Sequence, residues 1–163
     1  MSVTDTTDLN RVGDGETLYR SVWQKPDCLA KYADGTLHIS AAAFDDRAFQ
    51  ISLFRHDLCE RPPQSNPPRM SQADFVLALL ASRIRQQELT VGEQGKLLSL
   101  DVLPDTTNDQ HVSHAVVHPS LTINKNAFRK LRVRMAEIVE EDWPIKPDPD
   151  FVATLPFKTA EQT

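Results

Sequence analysis

LLSLDVL, residues 97–103, alternates so that Leu98, Leu100 and Val102 fall on one face of an extended chain. A period of two over such a run marks a half-buried strand. Just downstream, residues 104–110 (PDTTNDQ) form a turn-prone linker, and residues 112–117 (VSHAVV) are a second β-prone run. These two strands are expected to pair as neighbours.

Beyond them the period changes. Across residues 122–142, Phe128, Leu131, Met135, Ile138 and Val139 recur at offsets of three, four and seven, the stripe of an amphipathic helix. Its charges run against the helix dipole: Lys125, Arg129, Lys130, Arg132 and Arg134 crowd the first half, and Glu137, Glu140, Glu141 and Asp142 fill the end. At 100° per residue, Lys125, Arg129 and Arg132 lie on one flank of the stripe, with Lys130 and Arg134 on the other. The helix is therefore expected to carry two basic rails. Pairs such as Lys130 with Arg134 or Arg134 with Ile138 do not join opposite charges, so no intrahelical neutralisation is expected.

Upstream, Ser71 opens an expected second helix, with Asp74 as a capping-box acid and Phe75, Val76, Leu79, Leu80 and Ile84 at helical spacing. Four prolines make residues 60–70 (ERPPQSNPPRM) a loop dividing the chain. Before it, residues 17–23 (TLYRSVW), 36–40 and 48–55 (AFQISLFR) read as strands around the Asp34-Gly35 turn, forming an antiparallel meander. In the third of these, Phe49, Ile51 and Leu53 share a face. Residues 1–16 are polar and read as a flexible lead, residues 17–144 as a single α+β domain, and residues 145–163 as an extended tail. The fold class is α+β: short antiparallel strands with two amphipathic helices packed on the sheet. The alternative is α/β with one crossover unit.

Composition narrows the function classes. The 163 residues are 40% hydrophobic and 25% charged, which suits a globular domain, and a net charge of −5 argues against a general nucleic-acid binder. Two cysteines, Cys28 and Cys59, cannot build a disulfide framework, and no apolar run suggests a leader or a membrane span. The expectation is a cytoplasmic protein without a membrane partner.

Three of the five histidines, His111, His114 and His118, fall close together. The valines between them favour a strand, where His111 and His114 point to opposite faces and His114 and His118 stand about 13 Å apart. His56 with Cys59 gives a lone H-x-x-C pair without a second C-x-x-C. No metal site and no cofactor are expected.

His38-Ile39-Ser40 and His111-Val112-Ser113 both read H-x-S on β-prone segments. This resembles the paired motif of the 2H phosphoesterases, whose two histidines serve as general base and general acid on phosphodiesters or cyclic phosphates. That resemblance makes His38, Ser40, His111 and Ser113 the candidate catalytic residues. One imidazole accepts a proton while the other donates, and the hydroxyls hold phosphoryl oxygens. The sequence departs from that family at Gln110, where an apolar residue is usual, and in the little ordered chain before His38. Arg20 with Ser40 looks like the opening of some ADP-ribosyltransferase-type folds, but no glutamate sits in a matching motif. Arg20 is expected to be a surface or ion-paired strand residue, and Cys59 a buried structural thiol.

Leu18-Tyr19-Arg20, Asp34-Gly35, SAAAF at residues 40–44, Ser52-Leu53 and His114-Ala115-Val116-Val117 together resemble a group of small uncharacterised bacterial proteins. The resemblance implies a bacterial, cytoplasmic origin and carries no activity. The first functional expectation is a non-enzymatic interaction or accessory protein. It would contact an acidic protein partner through Lys125, Arg129, Lys130, Arg132 and Arg134. The alternatives are a 2H-type phosphoesterase and a small anion- or oligonucleotide-binding module.

Overall fold

The computed structural model describes residues 8–22, 29–31, 37–58, 75–105 and 112–142. The expected loop at 60–70, the cysteines, His111 and the tail at 145–163 lie outside them. The fold is mixed α+β, and every ladder among the described residues is antiparallel.

Among the described residues eight strands and two α-helices follow in order: β1 (Thr17–Val22), β2 (Leu29–Lys31), β3 (Leu37–Ile39), β4 (Ser52–Arg55), β5 (Phe75–Leu80), α1 (Ala81–Arg85), β6 (Glu88–Val91), β7 (Lys96–Pro104), β8 (His114–Pro119) and α2 (Lys125–Glu141). Six strands form one sheet in the order β5-β1-β4-β8-β7-β6, while β2 and β3 pair separately. The N-terminal strands are thus not one meander. Instead β1 lies between β4 and β5, and the β2-β3 hairpin is inserted along the chain between β1 and β4.

The alternation at 97–103 takes the expected form. Leu98, Leu100 and Val102 are buried, Leu97 and Leu103 are exposed, and Val102 stands opposite Val117 of β8. β7 also changes partner midway: Lys96–Ser99 pair with β6 and Leu100–Pro104 with β8. Between β6 and β7 the turn 92–95 has Gly92 and Gly95 at φ of 76° and 64°, where a side chain would be strained.

The helix expected from Ser71 is corrected. Phe75–Leu80 is a strand pairing with β1 over its whole length, and of the described residues in this stretch only Ala81–Arg85 are helical, while Ser71 and Asp74 lie outside the described residues. FVLALL is a continuous apolar run, and Leu77, Ala78 and Leu79 are buried in succession, so both faces of the strand are covered. Periodicity does not separate a doubly buried strand from a helix over so short a run. The strand at 48–55 is also shorter than expected. Ala48 and Phe49 both have φ of 56°, which ends extended backbone there, and Phe49 is 41% exposed while Ile51 and Leu53 are buried.

The sheet is curled. Its two edge strands, β5 and β6, are joined through α1, and a five-residue helix advances only about 7.5 Å. Six flat strands would span about 24 Å. Curling brings the edges together, and α2 packs against β5, β6 and β3 across the opening. The helix stripe Phe128, Leu131, Met135, Ile138 and Val139 is buried as its spacing requires, along with Ala127 and Ala136. Each large side chain in it contributes about 2 kcal/mol of transfer free energy.

Residues 8–16 belong to the segment read as a flexible lead. There Val12 is fully buried, and the chain is held by Arg55, which is itself fully buried on β4. Arg55 Nε donates to Glu16 Oε1 at 2.7 Å, and one terminal nitrogen donates to Glu16 Oε2 and to the Asp8 and Arg11 carbonyls.

Candidate functional site

α2 starts where Asn124 caps it, its Oδ1 accepting from the Ala127 N–H at 2.9 Å. No acid occupies the first turn. The acidic C-terminal end has tertiary partners. Arg83 of α1 donates from Nε to Asp142 Oδ2 at 2.8 Å and from its other arm to Glu141. Glu140 accepts from the Ile39 N–H on β3 and lies 3.1 Å from His38 Nδ1. The reversed charge order therefore has a structural explanation at one end: the carboxylates fasten α1 and β3 to the helix.

The basic half divides by flank. On the flank facing β6, Lys130 Nζ donates to the Thr90 carbonyl at 2.9 Å and Arg134 Nε to Gln87 Oε1 at 2.6 Å. Arg134 also donates to both Glu141 oxygens, at 3.0 and 3.2 Å, and lies 3.9 Å from Glu137. This corrects the expectation of no intrahelical neutralisation. Two turns of helix bring Glu141 back beneath Arg134, a spacing of seven that pairwise i,i+4 reasoning does not cover. Hydrogen bonding from Arg134, then from Arg83, holds the Glu141 carboxyl below the usual glutamate range against the opposing effect of burial.

On the other flank, Arg132 lies over the Phe128 ring at 5.3 Å and 3.9 Å from Asp45. Phe128 in turn packs on the exposed Phe49 at 5.3 Å between centroids. Lys125 and Arg129 are exposed and make no ion pair among the described residues, and Arg129 also borders the opening towards β6.

Between β6 and α2 runs an open groove of about 970 Å³. Its strand side carries Glu88, with Glu93 on the turn that follows, and its helix wall carries Arg129, Lys130, Arg134 and Glu137 together with the exposed Val133. The sequence reading did not single out Glu88 or Glu93. The signal was present: Leu89-Thr90-Val91 and Leu97 bracket a loop with glycine at both ends, the pattern of a hairpin.

Three of the four candidate catalytic residues, His38, Ser40 and Ser113, lie among the described residues. His38 is held by Glu140, and the Ser40 hydroxyl accepts from the Ala42 N–H, capping a 3-10 turn at Ala41–Phe44. Ser113 is buried, its carbonyl accepting from the Arg55 N–H at 2.8 Å. His111 lies outside the described residues. His114 is buried with Nδ1 2.9 Å from Asp105 Oδ2, close enough for an ion pair but not aligned as a hydrogen bond. His118 is exposed on β8 opposite Asp101 of β7. Among the described residues, no group of three His, Cys, Asp or Glu side chains could hold a metal ion. None of their helices is long and apolar enough to cross a membrane.

Arg20, the other arginine singled out, faces inward on β1. It is paired with Asp46 at 2.8 Å and donates to the Ala43, Asp45 and Ser52 carbonyls, clamping the turns before β4.

No family model, no curated protein and no solved structure matches the chain.

Proposed function

We propose that the protein is a non-enzymatic interaction or accessory protein of the cytoplasm that contacts an acidic protein surface through the basic face of α2. One observation carries this reading. Lys125 and Arg129 are exposed at the N-terminal half of α2 without an ion pair among the described residues, while the acids of the same helix are used internally. Cations at a positive helix end cost stability unless a partner supplies the opposite charge. Arg132, poised on Phe128, extends the same flank. The phosphoesterase reading ranks below it, because Ser113, one of its two motif hydroxyls, is fully buried and so closed to a phosphodiester.

A fluorescent poly-glutamate peptide serves as the probe. Binding should weaken about tenfold when Lys125, Arg129 and Arg132 are replaced together by Ala, and should fall with added salt. Unchanged binding of the triple variant at low salt would count against the reading. Tighter binding of a single-stranded oligonucleotide than of the peptide would favour the anion-binding alternative.

A further inference from the structure

The groove between β6 and α2 contains an arrangement that the acidic-partner reading does not use. Its strand side is acidic and its helix wall mostly basic, Glu137 being the exception, yet among the described residues no ion pair joins the two sides. Glu88 and Glu93 on the strand wall and Arg129 on the helix wall are exposed and form no ion pair among the described residues. Lys130 reaches across, but to a main-chain carbonyl, Thr90, and not to a carboxylate. The groove is thus close to neutral in sum and polar across its width. A purely acidic ligand would meet Glu88 and Glu93 as well as the arginines. A surface carrying the same two walls in the opposite order would satisfy both.

We infer that the occupant is a second copy of this chain, related by a two-fold axis at the β6 edge, with Glu88 and Glu93 of each copy facing Arg129 and Lys130 of the other. The inference goes beyond the acidic-partner reading: it uses the groove side of α2, and Arg129 is the residue the two share. A two-fold contact is self-complementary: any acidic wall presented to the partner's basic wall is matched by the reciprocal pair. Two further features fit. β6 is an edge strand among the described residues, and Val133, 44% exposed, supplies an apolar residue on the helix wall. Lys130 occupies the Thr90 carbonyl, so the contact runs through side chains, and its two-fold symmetry closes it at two copies.

Charge reversal on each wall tests this. The variant Glu88→Lys with Glu93→Lys makes both walls basic, and the variant Arg129→Glu with Lys130→Glu makes both acidic. Sedimentation velocity of the full chain at low salt should show a concentration-dependent dimer for the wild type. Each variant alone should dissociate at least tenfold more readily. An equimolar mixture of the two should recover the dimer, because each wall then meets its opposite, and this recovery also shows that both variants are folded. A wild type that stays monomeric over roughly a hundredfold concentration range overturns the inference. So does a variant that dimerises as the wild type does, or a mixture that stays monomeric. A monomeric wild type that still binds poly-glutamate through Lys125, Arg129 and Arg132 would remove the second copy and leave the acidic-partner reading standing.

Discussion

Arg83 holds Asp142 across 59 positions of sequence, its Nε 2.8 Å from the carboxylate Oδ2. The same guanidinium reaches Glu141, so a five-residue helix too short to be stable alone is fastened to the end of a seventeen-residue one. The hydrogen bond to Asp142 first, with Glu141 adding, stabilises the charged guanidinium against partial burial. Carboxylates at the negative end of a helix are unfavourable by themselves, and here an external cation offsets that cost.

Replacing Arg83 with Met should lower stability by about 1–2 kcal/mol, because two charge-assisted hydrogen bonds are lost from a partly exposed site. Urea denaturation of Arg83→Met, Asp142→Ala and the double variant gives the coupling between them. Additive effects would show that the contact contributes nothing.

Arg55 presents a harsher case. Its side chain is fully buried, and it holds both oxygens of Glu16 and two carbonyls of the N-terminal segment. Arg55→Met should cost about 3–5 kcal/mol, since Glu16 is left without its cation and residues 8–16 lose their anchor. Limited proteolysis should then cut within 8–16 before the sheet opens. A loss under about 1 kcal/mol with uncut residues 8–16 would contradict the anchoring role.

Acid should loosen the α1-α2 junction through Glu141. Its folded pKa is depressed, by the Arg134 hydrogen bond foremost, so its contribution is fully present above the unfolded glutamate pKa and is lost as pH falls through the folded one. The stability difference between wild type and Glu141→Gln should therefore be constant near neutral pH and shrink towards zero in the acid limb. Thermal midpoints across that range provide the measurement. A difference that grows on acidification would reverse the assignment.

Local pattern alone identified β7 and α2. In 97–103 the polar or exposed positions alternate with Leu98, Leu100 and Val102, and in α2 the apolar positions recur every three or four residues. Each pattern is consistent with only one way of burying a single face. The reversal of charge along α2 was equally visible, and the structure added what it is for at the acidic end. Glu140, Glu141 and Asp142 meet β3 and α1, residues remote in sequence, so no local rule could have paired them.

The run FVLALL shows the other side. Its residues satisfy a helix and a strand about equally, because an uninterrupted apolar stretch has no face to report. What made it β5 was the six-residue ladder with β1 and cover on both faces, and what made β6 an edge beside α2 was the curl that draws the two ends of the sheet together. Side-chain period is a property of the chain and can be read along it. Strand pairing, burial from both sides and the meeting of charged walls are properties of neighbours distant in sequence, and only the folded chain supplies those.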